Sequence, residues 1–154
     1  MGEQKVVVFR IGKELLGLPI DRVEKILPEQ TITRIPRSPK MFLGVFDLRG
    51  ATLPAVALGE RLQLTPSSET TNYIVVQTEA GRLAVQVDAV EGIHPISDDQ
   101  MEPRSDLLSD RDDAIVTGVG KLGERLMVLI NADEIVPESV RKRLAANSAL
   151  QLAA

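Results

Sequence analysis

Residues 16–28, LGLPIDRVEKILP, have a near-copy at residues 83–95, LAVQVDAVEGIHP. Leu16 and Leu83, Asp21 and Asp88, Val23 and Val90, Glu24 and Glu91, Ile26 and Ile93, and Pro28 and Pro95 coincide without a gap. A second match lies downstream, where GVFDLRGATLPAVALGERL (44–62) aligns with GVGKLGERLMVLINADEIV (118–136). Gly44 meets Gly118, Val45 meets Val119, Leu48 meets Leu122 and Glu60 meets Glu134. The interval exceeds the roughly 20–50 residues of a solenoid repeat. It reads as a duplication of one small subdomain.

Each half has the same grammar. VVVFRI (6–11) and YIVVQT (73–78) are β-branched runs suited to strands. RLAVQV (82–87) alternates, so Leu83, Val85 and Val87 share one face and Gln86 points away. Asp21 or Asp88, followed three residues later by Glu24 or Glu91, predicts a capped helical turn. In that turn Val23 and Ile26, like Val90 and Ile93, face the core, and Pro28 and Pro95 end it. Leu16, Leu18 and Ile20 are core candidates. Arg49-Gly50 and Gly123-Glu124 sit between apolar runs with hairpin spacing. Short, evenly spaced strands without long helices predict an all-β pair of antiparallel barrels. PESVRKRLAANSAL (137–150) reads as a helix with Val140 and Leu144 on a narrow apolar stripe.

Composition narrows the function. The chain has 154 residues, 44% of them hydrophobic but only 3% aromatic, so its core is aliphatic. A net charge of −4 argues against nucleic acid, which requires a basic stripe, and against an anionic membrane surface. There is no cysteine, hence no disulfide or thiolate metal site. MGEQKVVVFR lacks the apolar run of a signal peptide, and a cytoplasmic protein is expected. A lone His94 cannot build a metal site or a catalytic triad. The acidic stretch SDDQMEPRSDLLSDRDDA (97–114) lacks the glycine and ligand spacing of a calcium loop and reads as a solvated loop. Nothing points to catalytic, cofactor-binding or metal-binding residues.

Arg49 is the residue that invites a function. It either stays hydrated or pairs with Asp47, or it contacts a partner. Its counterpart in the second half is Gly123, so the hairpin itself does not require the cation. Gly44 and Gly50 read as backbone devices.

With LPIDRVEKI, TRIPRSP, GVFDLRGATLPAVAL, GRLAVQVDAVEGI and TGVGKLGERLMVLIN in this order, the chain resembles the CheW family. That family couples bacterial chemoreceptors to their histidine kinase. The resemblance implies two SH3-like five-stranded β-barrels packed side by side across residues 4–137. Subdomain 1 is expected over 4–66 with part of the C-terminal region, subdomain 2 over 72–136, and a C-terminal helix and tail over 138–154. It implies a non-enzymatic adaptor without cofactors, recruited to membrane-associated receptor arrays. Its expected partners are the regulatory domain of a CheA-type kinase, the cytoplasmic tip of a methyl-accepting chemoreceptor, and other copies in rings. Arg49, Val23, Gly44, Ile74 and Ile93 are the implied receptor-binding residues. The competing reading is a small barrel that binds a ligand or nucleic acid. Base stacking needs exposed aromatic rings, and the chain has one Tyr, three Phe and no Trp.

Overall fold

A computed structural model describes residues 2–67, 69–103, 114–137 and 140. Eleven strands dominate it: β1 (Glu3–Ile11), β2 (Glu14–Pro19), β3 (Val23–Pro28), β4 (Phe42–Leu48), β5 (Ala51–Ala57), β6 (Asn72–Thr78), β7 (Gly81–Val87), β8 (Ala89–Ser97), β9 (Met101–Pro103), β10 (Val116–Leu122) and β11 (Arg125–Ile130). A short helix, α1 (Leu58–Leu62), follows β5, and a 3-10 turn at Ala132–Glu134 follows β11.

The strands form two sheets, ordered β8-β1-β2-β11-β10-β9 and β3-β6-β7-β5-β4. In the first, β8 runs through a 3-10 turn (Asp98–Gln100) into β9, which pairs with the far strand β10 and closes the barrel. In the second, the bridge between Thr33 and Val45 occupies the corresponding place beside β4. The expected all-β pair of barrels is therefore present. The sheets divide the chain differently from the expected 4–66 with part of the C-terminal region and 72–136. The β1–β2 hairpin belongs with β8–β11, and the β6–β7 hairpin belongs with β3–β5. Each repeat has given its first hairpin to the other repeat's barrel.

The registers obey the duplication residue by residue. Ile26 lies opposite Ile74, and its counterpart Ile93 lies opposite Val7. The parallel pair Ala55 with Ala84 has its counterpart in Leu129 with Gly17. Even the irregularities repeat. The β3–β6 pairing slips between Val23 and Lys25 and the β1–β8 pairing slips between Val8 and Phe9, so Glu24 and Glu91 stand at matching bulges.

The exchange explains why VVVF (6–9) and YIVV (73–76) carry no alternation. Both faces of these strands are buried. Val6 and Val8 enter one barrel with Leu15, Ile96 and Met127. Tyr73 and Val75 enter the other with Phe46, Leu53 and Ala84. Their opposite faces meet between the barrels, where Val7, Phe9, Leu16 and Leu18 join Ile74, Val76, Leu83 and Val85. Each large aliphatic side chain sealed in this way contributes about 1.5–3 kcal/mol. Leu83, Val85 and Val87 share this central face, as their alternation predicts.

The predicted helical turns are corrected. Ile20–Arg22 forms a single 3-10 turn, and no helix follows Asp88. Val23–Pro28 and Ala89–Ser97 are strands, and the bulges at Glu24 and Glu91 keep Val23 and Ile26 on one face, opposite Val76 and Ile74, and Val90 and Ile93 on one face, opposite Phe9 and Val7. Val23 and Val90 pack on the central core, whereas further along the same strands Ile26 is 45% exposed and Ile93 54% exposed. Ile20 is exposed too, unlike Leu16 and Leu18. The helix expected over 137–150 lies outside the described residues except for Val140, which packs on the central core. Residues 104–113 of the acidic stretch are likewise outside them.

Polar clamps hold the exchanged parts in place. Arg22, beside the β2–β3 crossover, donates two 2.8 Å bonds to the Asp133 carboxylate beyond β11. Asp133 also accepts from the Glu79 amide in the β6–β7 turn. The hydrogen bonds to Asp133 push the Arg22 pKa further up, so this clamp keeps its charge throughout the physiological range. Arg61 of α1 donates to the carbonyls of Ile135 and Glu134, joining the ends of the two repeats. Asp88, at the β7–β8 crossover, is 5% exposed. Its carboxylate accepts 2.6 Å bonds from the amides of Gly12 and Ser67, and its carbonyl accepts from Thr70 and Asn72 side chains.

The bulge glutamates are clamped by cations. Glu24 accepts from Arg82 and Gln77, and Glu91 pairs with Arg125 and Arg10. The hydrogen bond from Arg82 holds Glu24 below the usual carboxylate range, and that from Arg125 does the same for Glu91. A depressed folded-state pKa means that the stabilisation is present above the unfolded value, about 4.3, and is lost as pH falls through the folded one. The urea midpoint of the protein is expected to exceed that of a Glu24→Gln/Glu91→Gln variant at pH 7. The difference should shrink towards pH 3. A difference constant with pH would show that the two carboxylates are not paired in solution.

Candidate partner-docking surface

Arg49 occupies the tip of the β4–β5 hairpin. Its φ is 51° and that of Gly50 is 88°. Positive φ at both central residues defines a type I′ turn, whose twist matches the strands it joins. Glycine adopts this region freely, but a residue with a Cβ is strained there. At the matching tip of the β10–β11 hairpin, Gly123 takes φ 62°. The first hairpin thus holds an arginine where the second uses glycine. Among the described residues Arg49 has neither a hydrogen-bond nor an ion-pair partner, and its side chain is exposed. The pairing with Asp47 considered from the sequence does not form.

The other implied residues separate into three kinds. Ile93 is exposed on β8, opposite Val7. Val23 is partly buried at the start of β3. Ile74 is 0% exposed and belongs to the central core, so it supports the surface from beneath and cannot touch a partner. Gly44 is buried with φ 145°, and a Cβ there would stand 2.1 Å from the Thr33 carbonyl oxygen. Gly44 therefore makes room for the Thr33–Val45 bridge and is a backbone device, not a contact. Of the five residues, Arg49 and Ile93 are exposed, Val23 is half-buried, and Gly44 and Ile74 are buried.

Exposed apolar side chains that sequence reasoning did not offer as contacts are Ile26, read there as core, Ile35 and Leu126. The duplication itself carried a signal for the first, because Ile26 is the counterpart of Ile93. Both isoleucines lie on strands that follow a crossover between barrels, so the exchange puts apolar side chains beside both junctions. Among the described residues there is no group of three or more His, Asp or Glu side chains placed to hold a metal ion. Among them, too, no helix is long and apolar enough to cross a membrane.

Two barrels that exchange their first hairpins, with exposed isoleucines beside both crossovers and a hairpin-tip arginine unpaired among the described residues, define the class of fold. The comparisons agree. Residues 5–140 match the CheW-like domain, and the chain belongs to that family. It is 30% identical over 140 residues to a probable chemotaxis protein CheW of Rhizobium etli, covering 90% of each chain. It is 28% identical to the chemotaxis protein CheW of Thermotoga maritima, covering 88% of this chain and 89% of the relative. The crystal structure of the scaffolding protein TtCheW from Thermoanaerobacter tengcongensis superposes with a TM-score of 0.80 at 27% identity, over 88% of this chain and 94% of that one.

Proposed function

We propose that this protein is a non-enzymatic adaptor that couples methyl-accepting chemoreceptors to a CheA-type histidine kinase. The family match and the chemotaxis proteins it resembles support the class. The observation that carries the reading to particular residues is Arg49, a charged side chain held unpaired at a position where the duplicate hairpin has glycine. Backbone strain of order 1 kcal/mol persists where another requirement maintains it. An arginine fork can bond several carbonyl or carboxylate oxygens while its stem covers apolar surface. Ile93 and Val23 supply apolar contact elsewhere. Burial of several small patches on different partners gives modest affinities that an array adds through effective concentration.

The test is reconstitution with a kinase regulatory domain and a receptor cytoplasmic fragment. Arg49→Gly is expected to raise stability by about 0.5–1 kcal/mol, because it relieves the strained φ. The same change is expected to weaken assembly about tenfold or more, as for loss of a central interface arginine. Unchanged assembly would remove Arg49 from the docking surface. Failure of the unaltered protein to bind either partner would overturn the adaptor reading itself.

A further inference from the structure

We propose that the loop between β3 and β4 is a separate docking groove for an extended acidic, apolar-containing segment of a partner protein. From Gln30 to Phe46 the chain carries Arg34, Arg37 and Lys40 and no carboxylate, within a protein of net charge −4. Arg34 and Arg37 are exposed, and among the described residues neither has a hydrogen-bond or ion-pair partner. Lys40 makes only an open 3.3 Å pair with Glu60.

The loop has a built shape. The Thr33–Val45 bridge anchors one end, and the Phe42 amide bonded to the Pro39 carbonyl anchors the other. The Ser38 hydroxyl closes the turn onto the Ile35 carbonyl. Pro36 and Pro39 fix their own φ angles, and Arg37 is held at φ 62°. A bulky residue at positive φ in a loop stiffened on both sides repeats the feature seen at Arg49.

The chemistry of the groove selects its occupant. Its lining alternates cations with apolar groups: Ile35 is 43% exposed, and Phe42 and Leu43 contribute as well. Cations three residues apart along a proline-stiffened chain spread the charge instead of converging it. That pattern fits carboxylates distributed along a peptide with an apolar side chain between them. A single phosphate would call for donors gathered at one point. Charge pairing of this kind sets register and encounter rate and weakens with salt.

The experiment is fluorescence anisotropy with the full-length protein and a labelled peptide of two Glu-Glu-Leu repeats. A Gln-Gln-Leu counterpart and inorganic pyrophosphate serve as competitors. The acidic peptide is expected to bind about tenfold more tightly than its neutral counterpart at low salt, and to lose most of that margin at 0.5 M salt. An Arg34→Gln/Arg37→Gln variant should lose the preference, while Arg49→Gly should keep it. Glutamine is compatible with the backbone at position 37, since Gln63 adopts φ 59° in this fold. Undiminished binding by the double variant would overturn the proposal. So would equal affinity for the neutral peptide, or displacement by pyrophosphate at matched concentration, which would mark a small-anion site.

Discussion

Split between α1 and β6 and expressed as two pieces, residues 1–67 and 68–154 are expected to be unfolded apart and native when mixed. A reading of the chain as two consecutive barrels predicts the opposite, two pieces that fold alone. The difference lies in the exchanged hairpins. The first piece would hold β1 and β2 without β8 and β11, and β3 and β5 without β6 and β7. Both parallel contacts, β2 with β11 and β5 with β7, would be severed. The central core would open as well, since Phe9 and Leu18 come from one piece and Ile74 and Val85 from the other. An isolated two-stranded hairpin is marginal in water, so neither piece retains an independently stable unit. Circular dichroism and amide-proton dispersion should report disorder in each piece and recovery on mixing. The intact protein should melt in one cooperative step. A cooperative transition in either piece alone would refute the mutual dependence of the barrels.

Asp88→Ala is expected to destabilise the protein by about 3–5 kcal/mol, whereas Asp21→Ala should cost within about 0.5 kcal/mol. These residues occupy the same place in the two repeats, but their surroundings differ. Asp21 is exposed. The Asp88 carboxylate is buried and accepts from two amides, at the β1–β2 turn and in the segment leading to β6. Hydrogen bonds to a charged acceptor each contribute about 1.5–3 kcal/mol, and Asp88→Ala removes two of them. Asp88→Asn keeps the shape and one accepting oxygen and should fall between the two. Equal urea midpoints for Asp88→Ala and Asp21→Ala would show that the clamp contributes nothing to folding.

The duplication was legible in the chain, and with it the number and kind of barrels. The exchange was not. Identity between LGLPIDRVEKILP and LAVQVDAVEGIHP shows that two units are alike, and it holds equally whether each hairpin closes its own barrel or its twin's. The unbroken apolar runs VVVF and YIVV offered a hint, because a strand at a barrel's outer wall would alternate. The Asp-to-Glu spacing suggested a capped turn. In fact Glu24 and Glu91 are displaced by bulges, and only tertiary pairing distinguishes that from a helix. Ile74 looked like a surface candidate through resemblance, and its strand is covered on both sides. For Arg49 the sequence showed an asymmetry between the halves, while the positive φ that sharpens its meaning depends on the turn type.

The hairpin trade also says what a half-length ancestor would have been. A chain of one repeat could not seal its own barrel and would have needed a twin, so its folding would have depended on concentration. Fusing two such chains makes the meeting intramolecular and always available. Once the twins shared a single polypeptide, their outer ends no longer had to match. One tip could keep glycine while the other acquired a cation, and a symmetric pair could become an object with two different ends.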